Sequence, residues 1–401
     1  MNSRQSSAVL WVIPAVYFVF VASEFALMTH MALQTAAQGR PVVVVGSLAT
    51  AMWVGIVLAS TRAHAVVARY GHARVFVAAT ALACAAIAGT TWHEHIAGWL
   101  ASAFVLGLGG GFVWVAGESW LAEAAPAEKR GLYVGLFETA VGLGLMVGPA
   151  MVPLLRWLDV PVPLASTALM LLALLVSLPL LAFTAPARPA VQAGTSADTA
   201  ADAAAWRTLM FPLLAVAVLS GLMEAGVSAL LPAISMRLGM TLESAAWLGA
   251  VIGAGSALLQ PPAGHLADRF GVRHITLAAW LVVLVANAVL LMAASNPLQV
   301  LWFVGFTLGG VGGAVYTLMI VELGNRLSGA RLVRAIGWLV VAYSVGTASS
   351  PALGGALFDA TGLHGLASAL LFLSAAGLAV TYLALTPGTP LQGRKPPVRV
   401  S

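Results

Sequence analysis

Two carboxylates stand where charge is costly. Glu24 lies in "FVASEFALM", residues 20–28, inside an apolar run that extends from Ala8 past residue 30. Glu224 lies in "LSGLMEAGV", residues 219–227, inside another. An acid at the centre of a membrane helix costs about 2.5–3.5 kcal/mol on insertion scales, so its presence points to proton or cation handling. The plainer alternative is a protonated Glu that hydrogen-bonds a neighbouring helix and holds it in place. Helical spacing puts Tyr17, Phe20, Glu24, Met28 and Met31 on one stripe, and Ser220, Glu224 and Ser228 on another. Aromatic faces such as those of Tyr17, Phe20, Trp53, Trp114 and Tyr343 suit large apolar cations, or simply pack. Glu118, Glu138 and Glu322 lie close to the ends of their apolar runs. There a gating role competes with an interfacial ion pair to Lys129, Arg130, Arg326 or Arg334.

The elements that must position these groups follow from composition. Of 401 residues 60% are apolar and only 8% charged, with a mean hydropathy of +0.96, too little charge for a soluble surface of this length. A bilayer core needs roughly 20 apolar residues per helix. Runs of that kind recur at about 9–33, 42–61, 75–92, 96–122, 131–155, 162–185, 207–233, 245–266, 275–295, 298–324, 335–357 and 366–386. The expected fold is an all-α polytopic membrane protein with 12 transmembrane helices. The first run carries a Glu and lacks a cleavage site, so it is expected to remain as a span.

Of the 19 Lys and Arg, only Arg40, Arg156 and Arg237 fall on the side opposite the N-terminus, which predicts cytoplasmic termini. The basic residues are dispersed over many loops, so the pI of 9.8 implies no nucleic-acid partner. Cys84 is alone and forms no internal disulfide. "MTHM" (28–31) and "WHEH" (92–95) offer Met and His donors without a third convergent ligand, so neither a metal nor a cofactor is expected. No phosphate-binding G-x-x-x-x-G-K-[ST] loop, H-E-x-x-H or G-x-S-x-G occurs, and the longest loop spans about twenty residues. These absences argue against an ATP-driven pump, an intramembrane enzyme and a receptor with a soluble output domain.

The chain repeats itself. Glu24 and Glu224 are 200 residues apart, as are "HAVVARYGHAR" (64–74) and "GHLADRFGVRH" (264–274). Glu118 and Glu322 end matching glycine-rich runs. Gly135, Gly144 and Pro149 correspond to Gly337, Gly346 and Pro351. Four correspondences in chain order at near-constant offset describe a duplicated unit. The polar stretch at 186–206 is expected to be a flexible cytoplasmic linker between halves 1–185 and 207–387, with 388–401 as a tail.

"GHLADRFGVRH" resembles the loop motif G-x-L-a-D-R-x-G-x-R of the major facilitator superfamily. Gly135, Gly144, Gly148 and Pro149 are similar to that superfamily's antiporter motif, and span 11 repeats it with Ser350 for one Gly. "VAGESWLAE" looks most like bacterial efflux-type permeases. The first loop motif departs from the pattern with His64 for Gly and Ala68 for Asp. Ala103 replaces an Arg common in span 4 of proton-coupled members, and Val152 and Pro153 replace a Gly pair.

The resemblance implies two halves that rock about a central cavity lined by the first and fourth helices of each. Glu24 and Glu224 would then face each other across it. It also implies that Asp268, Arg269 and Arg273 latch the cytoplasmic gate, and that Gly148, Pro149 and Pro351 serve bending and close packing. The expected activity is proton-coupled export of small amphiphilic or cationic compounds by a monomer in the bacterial inner membrane, its partners being substrate, protons and lipid. The alternative is an importer or uniporter of a metabolite or metal–chelator complex.

Overall fold

The structure, a computed structural model, describes residues 3–92, 95–126, 130–183, 200–293, 297–327 and 329–385. Among them every regular element is helical. The first half supplies α1 (Ser3–Ala37), α2 (Val42–Tyr70), α3 (His72–Gly89), α4 (Ile96–Ala124), α5 (Arg130–Trp157) and α6 (Val162–Ser177). Pro179, which has no amide hydrogen, tightens the end of α6 into a 3-10 segment, Leu178–Phe183. The second half supplies α7 (Ala200–Arg237), α8 (Leu242–Phe270), α9 (Val272–Met292) and α10 (Leu298–Arg326).

The last stretch, Gly329–Ala384, is broken at Gly362, where φ is 68° and ψ is −166°. A Cβ on Gly354 would touch Leu366, so the chain doubles back there into α11 (329–361) and α12 (363–384). Only glycine takes that backbone conformation cheaply. Among the described residues eleven stretches are long and apolar enough to cross a membrane, and the eleventh holds these two helices, consistent with the twelve expected spans. Several helices outrun the predicted spans: α2 continues to Tyr70 and α11 to 361. Hydropathy registers the apolar crossing, whereas backbone hydrogen bonding carries the helix on into polar sequence.

The duplication is visible in the backbone. α2 and α8 begin at residues 42 and 242 and end at 70 and 270, and α3 and α9 begin at 72 and 272. The turns before α2 and α8 use Gly39 (φ 72°) and Gly239 (φ 101°). Those before α3 and α9 use Gly71 (φ 83°) and Gly271 (φ 87°). The worn loop at 64–74 therefore keeps the backbone turn although its acid is gone.

Among the described residues two large buried apolar cores form, one from α1–α6 and one from α7–α12 with Val42 added, and two smaller buried clusters span the halves. Within each half the closest crossing is made by glycine. A Cβ on Gly107 would strike the Met52 carbonyl across α2 and α4, and one on Gly255 would strike the Phe306 carbonyl across α8 and α10. Between lipid-immersed helices such small-residue contacts supply packing that the hydrophobic effect does not.

Between halves, Pro149 of α5 packs on Gly249 of α8, and the Pro351 backbone of α11 packs on Gly46 of α2. Ala36 and Val45 pack against Ala233 of α7.

Candidate functional site

Glu24 sits on the buried side of α1, 5% exposed, against the glycine-rich part of α4. A Cβ on Gly110 would stand 3.4 Å from its Oε1 and 3.7 Å from Phe20, so the missing side chain leaves room for the carboxyl. Among the described residues that Oε1 is buried with no hydrogen-bond partner. One turn or more away, Tyr17 stacks on Phe20 at 6.0 Å between ring centroids and on Phe137 of α5 at 4.5 Å. Met28 is buried on the same helix.

Glu224 occupies the equivalent place on α7, against Gly312 and Gly313 of α10. Its setting is more polar. The Tyr343 hydroxyl of α11 donates to Glu224 Oε2 at 2.7 Å, and the Tyr343 ring packs on Tyr316 of α10 at 4.3 Å. A Cβ on Gly313 would lie 2.9 Å from Glu224 Oε1 and would collide with the Gln260 amide of α8. Gln260 Nε2 donates to Ser256 Oγ at 2.7 Å. Ser220 Oγ donates to the Gly312 carbonyl at 2.9 Å and fixes α7 on α10, while Ser228 Oγ donates to the Glu224 carbonyl. Neither glutamate takes part in an ion pair among the described residues. A carboxyl group in such a place is stable as the neutral acid or with a cation beside it.

The other residues singled out from sequence fall elsewhere. Glu118 accepts a hydrogen bond from the Trp114 side chain one turn earlier. Glu322 pairs with Arg326 at 2.5 Å, the interfacial ion pair weighed above. The Arg273 guanidinium lies over the Tyr382 ring of α12 at 5.2 Å, and that of Arg269 over Phe270 at 5.6 Å. Both contacts stay within the second half. Gly148 lets α5 press on Ala22 and Phe25 of α1. The side chains of Glu138, Asp268, Lys129, Arg130 and Arg334, and residue His93, lie outside the described residues. No three His, Cys, Asp or Glu converge among the described residues.

Gln260, Ser256, Tyr316 and Phe137 were not singled out from sequence. Gln260 and Ser256 carried a usable signal, a polar pair four residues apart in an apolar run. Tyr316 and Phe137 carried none, because a buried aromatic reads as packing until its neighbours are known.

The chain matches the family model described as Major Facilitator Superfamily twice, over residues 15–212 and 213–400. It is 23% identical over 323 residues to the uncharacterized MFS-type transporter YfkF of Bacillus subtilis, covering 79% of this chain and 80% of that one. It is 25% identical over 360 residues to the uncharacterized MFS-type transporter YcaD of Salmonella dublin, covering 89% of each. Among solved structures it superposes on the nucleoside transporter NupG with a TM-score of 0.73 at 10% identity, covering 94% of this chain and 98% of that one. A D-xylose–proton symporter gives a TM-score of 0.73 at 16% identity, with 96% and 98% covered.

Proposed function

The chain belongs to the major facilitator superfamily of transporters, and from that premise we propose that it exports a small cationic or amphiphilic compound in exchange for protons. Halves 1–185 and 207–387 rock about the seam, with both termini cytoplasmic, in a monomer of the bacterial inner membrane. The observation that carries the reading is Glu24, a buried carboxyl beside stacked aromatic rings whose Oε1 has, among the described residues, neither a hydrogen-bond nor an ion-pair partner. A proton satisfies that oxygen in one state, and an organic cation lying on the aromatic faces satisfies it in another. Glu224, already held by Tyr343, serves as the second acidic site in the other half. The glycine–proline pattern of α5 supports the exchange direction.

A second reading has its own support. The set Glu224, Tyr343, Tyr316, Gln260 and Ser256 suits a hydroxyl-bearing metabolite, and one structural neighbour is titled a D-xylose–proton symporter. Proton-driven import through the same site follows from it.

Proteoliposomes holding a pH-sensitive dye separate the two. Cationic, neutral and anionic compounds are added to wild type, Glu24→Gln and Glu224→Gln. Exchange predicts that cations drive proton movement opposite to their own, lost in Glu24→Gln. Import predicts co-directional movement with neutral polyols. Compound flux without proton movement, undiminished in both Gln variants, would leave the glutamates with a structural role and sink both readings.

A further inference from the structure

The face opposite the chain termini carries few charges, and five of the described ones, Arg40, Arg156, Arg237, Glu243 and Asp359, lie at the seam. Arg156, at the end of α5, pairs with Glu243 in the first turn of α8 at 3.6 Å. Arg237, at the end of α7, donates to the backbone carbonyl of Arg40 before α2. Asp359, near the end of α11, accepts from the amides of Val42 and Val43 at 2.9 and 2.8 Å, one on each carboxylate oxygen. Each of these contacts joins the first half to the second. The three basic residues placed on this face by sequence are thus all seam residues.

The Asp359 contact has a specific chemical origin. The first amides of a helix have no partner within it and carry the positive end of its dipole. α8 satisfies its own: Thr241 accepts from the Ser244 amide at 3.2 Å. α2 starts after Pro41, which has no capping side chain. Asp359 therefore caps α2 from the other half. Deeper along the same pair, the Ala352 amide donates to Thr50 Oγ1 at 3.2 Å, and Gly46 and Gly355 let the backbones of α2 and α11 touch.

The opposite end of α2 differs. Exposure is confined near Val54 and Leu58 to one helix face, then widens at Thr61, Arg62, His64, Ala65, Arg69 and Tyr70 to most of the circumference. The acid that would stand there in the repeat is Ala68. α2 is thus clasped at one end and free of such packing at the other.

We propose that Asp359 is the principal outer-gate latch of the transport cycle, assisted by Arg156–Glu243, and that it holds the resting transporter open to the cytoplasm. Breaking a bidentate carboxylate cap removes two charge-assisted hydrogen bonds that are made only when the outer gate is shut. A ligand-free shift toward the outward-open state follows. The inference uses the orientation proposed above and alternating access, and it holds for whichever compound is carried.

The test is distance measurement on the purified full-length protein with Cys84→Ser. One spin-label pair is placed on the outer face (Val160→Cys with His364→Cys) and another on the cytoplasmic face (Arg62→Cys with His265→Cys); all four positions are exposed. In Asp359→Asn the outer distance is expected to lengthen and the inner to shorten together, by about a tenfold change in the population ratio. Asp359→Glu, which keeps the carboxylate, is expected to restore most of the wild-type distribution. Glu243→Gln should shift both pairs in the same direction by less, since that ion pair is half-exposed. Unchanged distributions in both charge-removing variants would overturn the proposal. So would an outer distance that lengthens while the inner one stays fixed, because that is fraying of α2 without gate opening.

Discussion

At the scale of single residues, the two glutamates are equivalent in place and unlike in company. Glu24 faces an aromatic stack with one oxygen unsatisfied, and Glu224 is held by a phenol. Tyr343→Phe deletes that donor while leaving the ring on Tyr316. Without the donor that orients Glu224, kcat/KM for transport is expected to fall about tenfold, out of proportion to any change in melting temperature. A matching loss of thermal stability would assign the bond a structural role. Gln260→Leu, which removes the amide beside Glu224 but keeps most of the volume, should lower transport of hydroxyl-bearing compounds while sparing apolar cations. Equal losses for both classes, read from competition assays, would remove Gln260 from substrate selection. The partly buried Glu322–Arg326 pair lies four residues apart on one face of α10, where it supports the helix.

At the scale of elements, glycines divide by what surrounds them. A Cβ on Gly346 would collide with the Val218 carbonyl of α7, whereas Gly337, nine residues earlier in the same motif, has nothing within 4 Å. Overpacking a tight contact costs about 1–3 kcal/mol, while Gly to Ala in an open helix position gains up to about 1 kcal/mol from propensity. Gly346→Ala is therefore expected to lower the melting temperature in detergent and Gly337→Ala to leave or raise it. The same measurement on Gly107→Ala and Gly255→Ala should show two comparable losses, because both sit at the repeated α2–α4 and α8–α10 crossings. A tolerated Gly255→Ala would mean that those helices relax apart.

At the scale of the molecule, two large cores meet along α1–α7, α2–α11 and α5–α8, where smaller buried clusters join them. Proline and glycine line this seam and bring backbones of the two halves into direct contact, Gly46 against Pro351 and Gly253 against Leu145. Co-expression of residues 1–185 and 186–401 as separate chains is expected to yield a complex that co-purifies and transports. Fragments that each aggregate would show that the cores depend on each other for folding. Salt should act on the same seam: the half-exposed Arg156–Glu243 pair weakens within a Debye length of about 3 Å at 1 M, whereas the Asp359 cap on α2 amides is screened less. High salt is therefore expected to open the outer label pair only slightly in wild type and more in Asp359→Asn.

The sequence by itself determined the all-helical membrane class, the number of crossings, the duplication and the two acids. These follow from quantities local to the chain: apolar run length, charge spacing, and a repeat offset that Gly71 and Gly271 preserve as matching turns. It also placed Arg40, Arg156 and Arg237 on the sparsely charged face, without a reason for their presence. Only the tertiary structure decided which groups meet. Asp359 reaches α2 across more than three hundred residues of chain, Trp114 donates to Glu118, and Gln260 arrives beside Glu224 from a different helix. Pairing of that kind depends on helix rotation and on the close approach that glycine permits, and neither is encoded in the composition or period of any one segment.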